Sequence, residues 1–459
     1  MIADLFTHLM TFSHFFTRKQ DDSTMTNNSA HITLTGGIDV GNGYVKGVIR
    51  NTGTDAVDDI DLPSGVISTS SSSPKVPVPD EKAEETTSGD FFNMLDCSMS
   101  TPLVAASDRR IFGRAALSVR GSKFTEFEVL GRHSKADQEL SAVLVLGVFA
   151  AKAVKDYVAV HDELPAQELT VDVRAGLALP ISEFVSRRHS FAAQFMGSAD
   201  QPLVHLVTVK NFTTPVSVRL RFVDVQVMAE GASAQFAISD KGEPLAAALL
   251  ADLASRDPQL VEGVTAADLV AVRNTVGVDV GEGTVNFPVF TDGKFNPEAS
   301  NTLESGYGTA LSNGLDRMLD ADQTLQFSSR KQLADFLQAK PSAFQRGRHA
   351  RAAGYVEAEA QYLVADIAAL FSTVLAQAGA ATEVVYVYGG GSGPLKEQLY
   401  PALAAAAGDV PVLYLDSSYS RHLNREGLYL AARLGELVGT ASREDADAQA
   451  VAAARSEVA

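Results

Sequence analysis

The chain has 459 residues, 46% of them apolar and 20% charged, which is long enough for two hydrophobic cores and ordinary for a globular protein. Lys and Arg number 38 against 56 Asp and Glu, a formal net charge of −18, so the surface repels phosphate backbones and no direct nucleic-acid binding is expected. A single cysteine, Cys97, excludes an internal disulfide framework and suits a reducing cytoplasm.

In chain order, residues 1–16 are apolar and aromatic but lack a basic start and a small-residue cleavage site, and Asp4, His8 and His14 interrupt them. No membrane contact is expected from this stretch, and residues 1–30 read as a disordered or mis-started lead. Residues 32–38 read as a strand, Gly41-Asn42-Gly43 as a tight turn and 44–49 as a second strand. The Ser-, Pro- and acid-rich stretch 68–90 reads as a flexible surface insertion. Ser134 opens a predicted helix to about residue 160. A strand at 169–179 is stopped by Pro180, and a helix starts at Ser182. Strands are predicted at 203–209, 216–222 and 225–228, and a helix at 245–253. Another strand-turn-strand begins at Thr275, followed by helices at 308–319 and 352–378. A buried-type strand, 384–388, then enters Gly389-Gly390-Gly391; a strand at 412–415, a helix at 424–438 and a flexible tail complete the chain. Strands alternating with helices indicate an α/β class.

The most informative feature is an internal echo. Gly37-Ile38-Asp39-Val40-Gly41-Asn42-Gly43-Tyr44-Val45-Lys46 returns as Gly277-Val278-Asp279-Val280-Gly281-Glu282-Gly283-Thr284-Val285-Asn286. Either copy alone reads equally as a simple hairpin turn, because Asp and Asn beside Gly are common turn formers. Two copies with matching apolar flanks point instead to two related domains facing one site. A Gly-x-Gly turn clears side chains from its tip, so successive backbone N–H groups can face a phosphate. Asp39 and Asp279, at the ends of the incoming strands, are placed to orient Mg²⁺ or its waters. Lys46 adds positive charge on the outgoing strand. The glycine run 389–391, with Ser392 after it, lets backbone pack against a base and ribose.

These motifs, in this order, resemble the two phosphate loops and the adenosine loop of the actin, sugar-kinase and heat-shock-chaperone superfamily. Within it the chain is similar to the bacterial ParM/StbA group of plasmid-segregating actins and their Alp relatives, to which Leu177-Ala178-Leu179-Pro180-Ile181-Ser182-Glu183-Phe184 and the closing helix also correspond. The resemblance implies a two-lobed actin-like (ribonuclease-H-like) fold with a nucleotide cleft between lobes. Domain I would be residues 31–274, with the polar insertion near 68–90, and domain II residues 275–420; a helix at 421–439 would return to domain I, ahead of a flexible tail at 440–459.

The resemblance also implies roles. Asp39 and Asp279 would serve Mg²⁺, partly through water, with Asp279 also catalytic. Gly41, Asn42, Gly43, Gly281, Glu282, Gly283 and Thr284 would hold the β- and γ-phosphates of ATP or GTP, the side chain of Glu282 pointing outward. Glu230, at a strand end before the second loop, would orient the attacking water. Gly306, before a helix, and Gly389 to Ser392 would contact the nucleotide, and one cation between Arg330 and Arg351 would stack on the base. His133 and His189 have no partners at metal-ligand spacing. The implied function is a cytoplasmic ATPase forming nucleotide-dependent filaments that position plasmid or prophage DNA through a DNA-binding adaptor. The alternative is a sugar or carboxylate kinase of the same superfamily. A chaperone is disfavoured, because residues 394–459 are too few for a peptide-binding domain.

Overall fold

The computed structural model describes residues 31–69, 76–105, 109–119, 124–127, 134–198 and 200–436; the N-terminal lead, the tail and His133 lie outside these. The first strand-turn-strand is β1 (His31–Val40) and β2 (Tyr44–Asn51), paired antiparallel with Asp39 opposite Lys46. β3 (Val57–Pro63), β4 (Gly65–Thr69), β5 (Asp96–Ser100), β6 (Arg109–Phe112), β7 (Phe124–Glu126), β8 (Leu169–Leu179), β9 (His205–Val209) and β10 (Val216–Ala229) complete a ten-stranded sheet, ordered β3-β2-β1-β8-β10-β9-β5-β6-β4-β7. β1 and β10 both run parallel to β8; β8 and β10 alternate apolar and polar residues over most of their length, with the apolar side buried, and β8 becomes fully buried toward its end at Leu179. β10 is one strand with a register irregularity between Phe222 and Asp224, where the sequence suggested two.

The second sheet repeats the opening of the first. β11 (Thr275–Val280) and β12 (Val285–Phe287) are antiparallel with Asp279 opposite Asn286. β13 (Val289–Thr291), β14 (Lys294–Phe295), β15 (Asn301–Leu303), β16 (Val384–Tyr388) and β17 (Val412–Tyr414) bring it to seven strands, with β16 parallel to β11. Helices Arg346–Ala378 and Ser392–Ala407 cover one face, packing Ile367, Phe371 and Leu399 onto Val276, Val278 and Val385. The former is long and apolar enough to cross a membrane, but its apolar stripe faces this sheet.

Helix Ala232–Arg256 covers the other face of that second sheet: Ala237, Leu245, Leu249 and Leu253 join Tyr386 and Leu413 in one core. The chain thus passes between sheets after Gly231: Ala232 and Phe236 still join the first lobe's core, while Ala234, Ala237 and the stripe from Leu245 to Leu269 pack on the second, although the sequence put all of them in the first. Helix propensity and amphipathic spacing define the helix but not which sheet its stripe meets. It breaks at Gly242 (φ 59°), two residues before Pro244.

Two more expectations differ. Residues 76–90 are not a free loop: Asp80 accepts a 2.9 Å hydrogen bond from the Thr214 amide, and helix Ala83–Ser88 buries Ala83 and Thr87. Polar composition reports average solvation, yet an i, i+4 pair of small residues suffices to seat one helical turn. Residues 70–75 lie outside the described chain. The helix expected from Ser134 instead begins at Glu139, after a 3₁₀ turn at Lys135–Asp137. Glu183 takes the hydroxyl of Ser134 (2.6 Å) and the amide of Lys135 (2.8 Å), so Ser134 caps nothing.

The last helix, 423–436, returns to the first lobe, where Leu428 and Ala431 enter the core.

Candidate active site

The two turns are built alike. The amide of Gly41 donates to the Tyr44 carbonyl at 3.0 Å, and that of Gly281 to the Thr284 carbonyl at 2.9 Å. The folded chain sets the tips against each other: a side chain at Gly43 would collide with the Glu282 carboxylate, and one at Gly283 with the Asn42 amide. The atoms met are the ends of two flexible side chains, so glycine at both positions leaves each tip's place to the other lobe's side chain.

Behind the tips, Asp39 (8% exposed) and Asp279 (4% exposed) lie buried within one another's field. Burial raises the Asp39 carboxyl above its ordinary range, against the lowering effect of Lys46 and Lys135. Asp279 is pushed up to about 7, first by burial and then by the charges of Asp39 and Glu230, although Asn424 donates to it at 2.7 Å. Two buried carboxylates raised in this way would be relieved by a divalent cation between them. No group of three or more His, Cys, Asp or Glu among the described residues is placed to hold a metal unaided.

Glu230 directly follows β10, its amide bonded to the Leu179 carbonyl at 2.8 Å. Gly231 follows with φ +76°, and this left-handed corner puts the chain against the Asp279 side chain. One oxygen of Glu230 pairs with the buried ammonium of Lys135; the other accepts from Asn286 of the second lobe at 3.1 Å. Desolvation opposes the charge on Lys135, but Glu230 and Asp39 outweigh it and raise its pKa, so the ammonium stays charged. Lys46 is half-buried and forms no ion pair with a described residue, while its charge acts on Asp39, Asp279 and Glu282.

The glycine run closes the site from below β16. Gly389 has φ +93° and lies against the Asp279 carboxylate, Gly390 lies near the Lys46 ammonium, and the Gly391 amide donates to the Val280 carbonyl at 2.8 Å. Ser392 is fully buried and donates its hydroxyl to the Gly389 carbonyl at 2.8 Å, so it shapes the loop from inside. Gly306 caps helix Tyr307–Ala321, whose first amides donate to Gly281 and Glu282 carbonyls at 3.0 and 2.8 Å. That helix braces the second tip. The Thr284 hydroxyl accepts from Asn286 at 3.3 Å.

Glu282 does not point outward as expected. Its carboxylate lies against Gly43 and within 2.9 Å of the Arg330 Nε. Burial raises its pKa, opposed by Arg330. Of the cations between 330 and 351, Arg330 is thus committed to the loop, while Lys331 stacks 4.0 Å over the Tyr44 ring.

Lys135, Asn286 and Asn424 escaped the sequence reading as site residues. Asn286 was legible in principle, since it occupies the place of Lys46 in the repeat. For Lys135 no local pattern exists.

The shifted Asp279 has a thermodynamic consequence. Its folded pKa of about 7 lies above the ordinary aspartate value of 3.8. The stability tied to its neutral form is full below about pH 4 and disappears as pH rises through 7. Asp279→Asn mimics that neutral form. In EDTA it is expected to melt higher than the parent, with an advantage that grows between pH 5.5 and 8 by up to about 2 kcal/mol, at about 1.4 kcal/mol per unit. Melting curves at the two pH values check this; equal differences would show that Asp279 titrates normally.

No protein-family model matches the chain, and no curated protein matches it. Solved structures do. The actin-like protein Alp7A is 15% identical, with 91% of this chain and 100% of that one covered at a TM-score of 0.56. ParM of Bacillus thuringiensis with ATP is 14% identical, covering 88% and 99% at 0.51. An archaeal actin homolog is 14% identical, covering 88% and 99% at 0.50. With 88–91% of this chain superposed on nearly the whole of these chains, this protein has the two-lobed actin-like fold.

Proposed function

We propose that this protein is an actin-like ATPase whose nucleotide state controls its assembly into filaments, and that these filaments position DNA in the cytoplasm through a separate DNA-binding adaptor. The observation that carries the reading is the meeting of two like-built glycine tips, 240 residues apart in the repeat, over two buried aspartates and a backbone glycine run.

Phosphoryl transfer demands positioning and charge stabilisation more than covalent chemistry, and the site is composed accordingly. Backbone amides of residues 41–43 and 281–283 grip the β- and γ-phosphates, and a terminal phosphate takes the place of the Glu282 carboxylate against Gly43. Lys46 neutralises phosphate charge. Asp39 and Asp279 would hold Mg²⁺, which would supply further charge neutralisation. Glu230 accepts a hydrogen bond from the attacking water. Gly306 and Gly389 to Gly391 bring backbone to the nucleoside. The net charge of −18 supports contact with DNA through an adaptor and not directly.

Mixing the purified protein with Mg-ATP is expected to raise light scattering, with phosphate release lagging behind it and filaments visible by electron microscopy. A protein that stays monomeric, and consumes ATP only when a sugar or small carboxylic acid is added, would overturn this in favour of a kinase.

A further inference from the structure

Lys135 sits in a turn that the fold holds rigidly. Its amide donates to Glu183 at 2.8 Å, the neighbouring Ala136 amide to the same carboxylate at 3.2 Å, and its carbonyl accepts the Ser141 hydroxyl at 2.9 Å. The side chain runs inward until only 7% of the residue is exposed, and the ammonium meets Glu230. An ammonium has three N–H donors. Among the described residues only Glu230 accepts one, leaving two donors of a buried cation without protein partners beside Asp39 and Glu230. Burying a charge this incompletely paired is costly unless another anion shares the site.

We propose that Lys135 is a catalytic residue that binds the terminal phosphoryl group of the nucleotide through its spare donors while fixing Glu230 beside the attacking water. The role rests on the ATPase reading. In the step it serves, the water oxygen bonds to the γ-phosphorus. The bond from that phosphorus to the bridging oxygen breaks, and its electron pair leaves with ADP. One water proton passes to Glu230 and on to solvent. Lys135 keeps its own proton and balances charge on the transferring oxygens. Lys46 serves the loop from β2 and Lys135 from the Glu230 side, so the phosphoryl group meets a cation from two directions.

The test compares K135M, K135R, E230Q and the K135M/E230Q pair by phosphate release under Mg-ATP, by ATP and ADP affinity, and by melting temperature. K135M is expected to lower kcat at least 100-fold and weaken ATP about tenfold, with ADP affinity kept within twofold. K135R should recover at least a tenth of the parent rate, and the double variant should be no more than threefold slower than the slower single one. A merely structural lysine would move ATP and ADP affinity together. If K135M does not fold, K135R and the ATP-to-ADP ratio carry the same decision. A K135M protein with kcat within threefold of the parent and an unchanged ATP-to-ADP ratio overturns the role of Lys135 alone. A parent protein that binds ATP but never hydrolyses it overturns the ATPase reading, and the affinity ratio still decides the phosphate contact.

Discussion

Glu230→Gln protein is expected to bind Mg-ATP within a few-fold of the parent, to assemble, and to release phosphate at least 100-fold more slowly. Glutamine keeps the shape and can still accept the 3.1 Å hydrogen bond from Asn286, but it cannot take a proton from water. General-base assistance is typically worth 10²–10⁴ in rate, about 3–5 kcal/mol of barrier. Asp279→Ala should go further and abolish turnover together with Mg-dependent binding. It removes a carboxylate that faces Asp39 and leaves the Asn424 amide without its acceptor. The pair of variants separates the two roles: Glu230 acts after the nucleotide is seated, Asp279 in seating it. Single-turnover phosphate release alongside fluorescent-nucleotide binding measures both. Parental turnover in Glu230→Gln would remove that carboxylate from the mechanism.

The second large effect is structural and lies behind the site. Gly37 of β1 and Gly176 of β8 are paired in register on adjacent parallel strands. Side chains at either would run into the backbone of Leu428 or Tyr429 in the closing helix. Backbone cannot swing aside as a flexible side chain can. Gly37→Val and Gly176→Val are therefore expected to cost about 3 kcal/mol or more, a fall in melting temperature of roughly 5–10 °C. The same helix carries Asn424, which bonds to Asp279, so nucleotide affinity should fall with stability. Gly354→Ala provides the contrast: it lies within helix Arg346–Ala378, a Cβ there meets nothing within 4 Å, and alanine should add about 0.5–1 kcal/mol. Thermal melts of the three variants check the prediction; a parental melting temperature for Gly37→Val would mean that the helix is not docked on β1.

Neither glycine effect could be anticipated from the positions alone. Gly37 lies in an echoed strand and Gly176 inside the strand at 169–179, with no local signal at either. What gives them their importance is a helix that arrives about 250 residues after Gly176. The same distinction runs through the site. The twin hairpins were legible because a glycine turn between apolar strands sets its own register, and both copies indeed pair Asp with the seventh residue after it, Lys46 in one and Asn286 in the other. The glycine run after β16 was legible for the same reason: backbone exposed at the end of a buried strand is a local property.

The amino-acid sequence by itself determined the local devices of this protein: the two turns, the strands that carry Asp39 and Asp279, the glycine run and the α/β alternation. The tertiary structure alone decided which residues complete them. Lys135 reaches Glu230 across 95 positions and Asn424 reaches Asp279 across 145. Glu282 turns inward because Arg330 waits there, and helix Ala232–Arg256 chooses the second sheet because that face is apolar and uncovered. Hydrogen bonds along the backbone and the pattern of apolar residues act over a few positions and leave a trace in the sequence. Ion pairs and helix docking depend on distances that exist only once both lobes are packed.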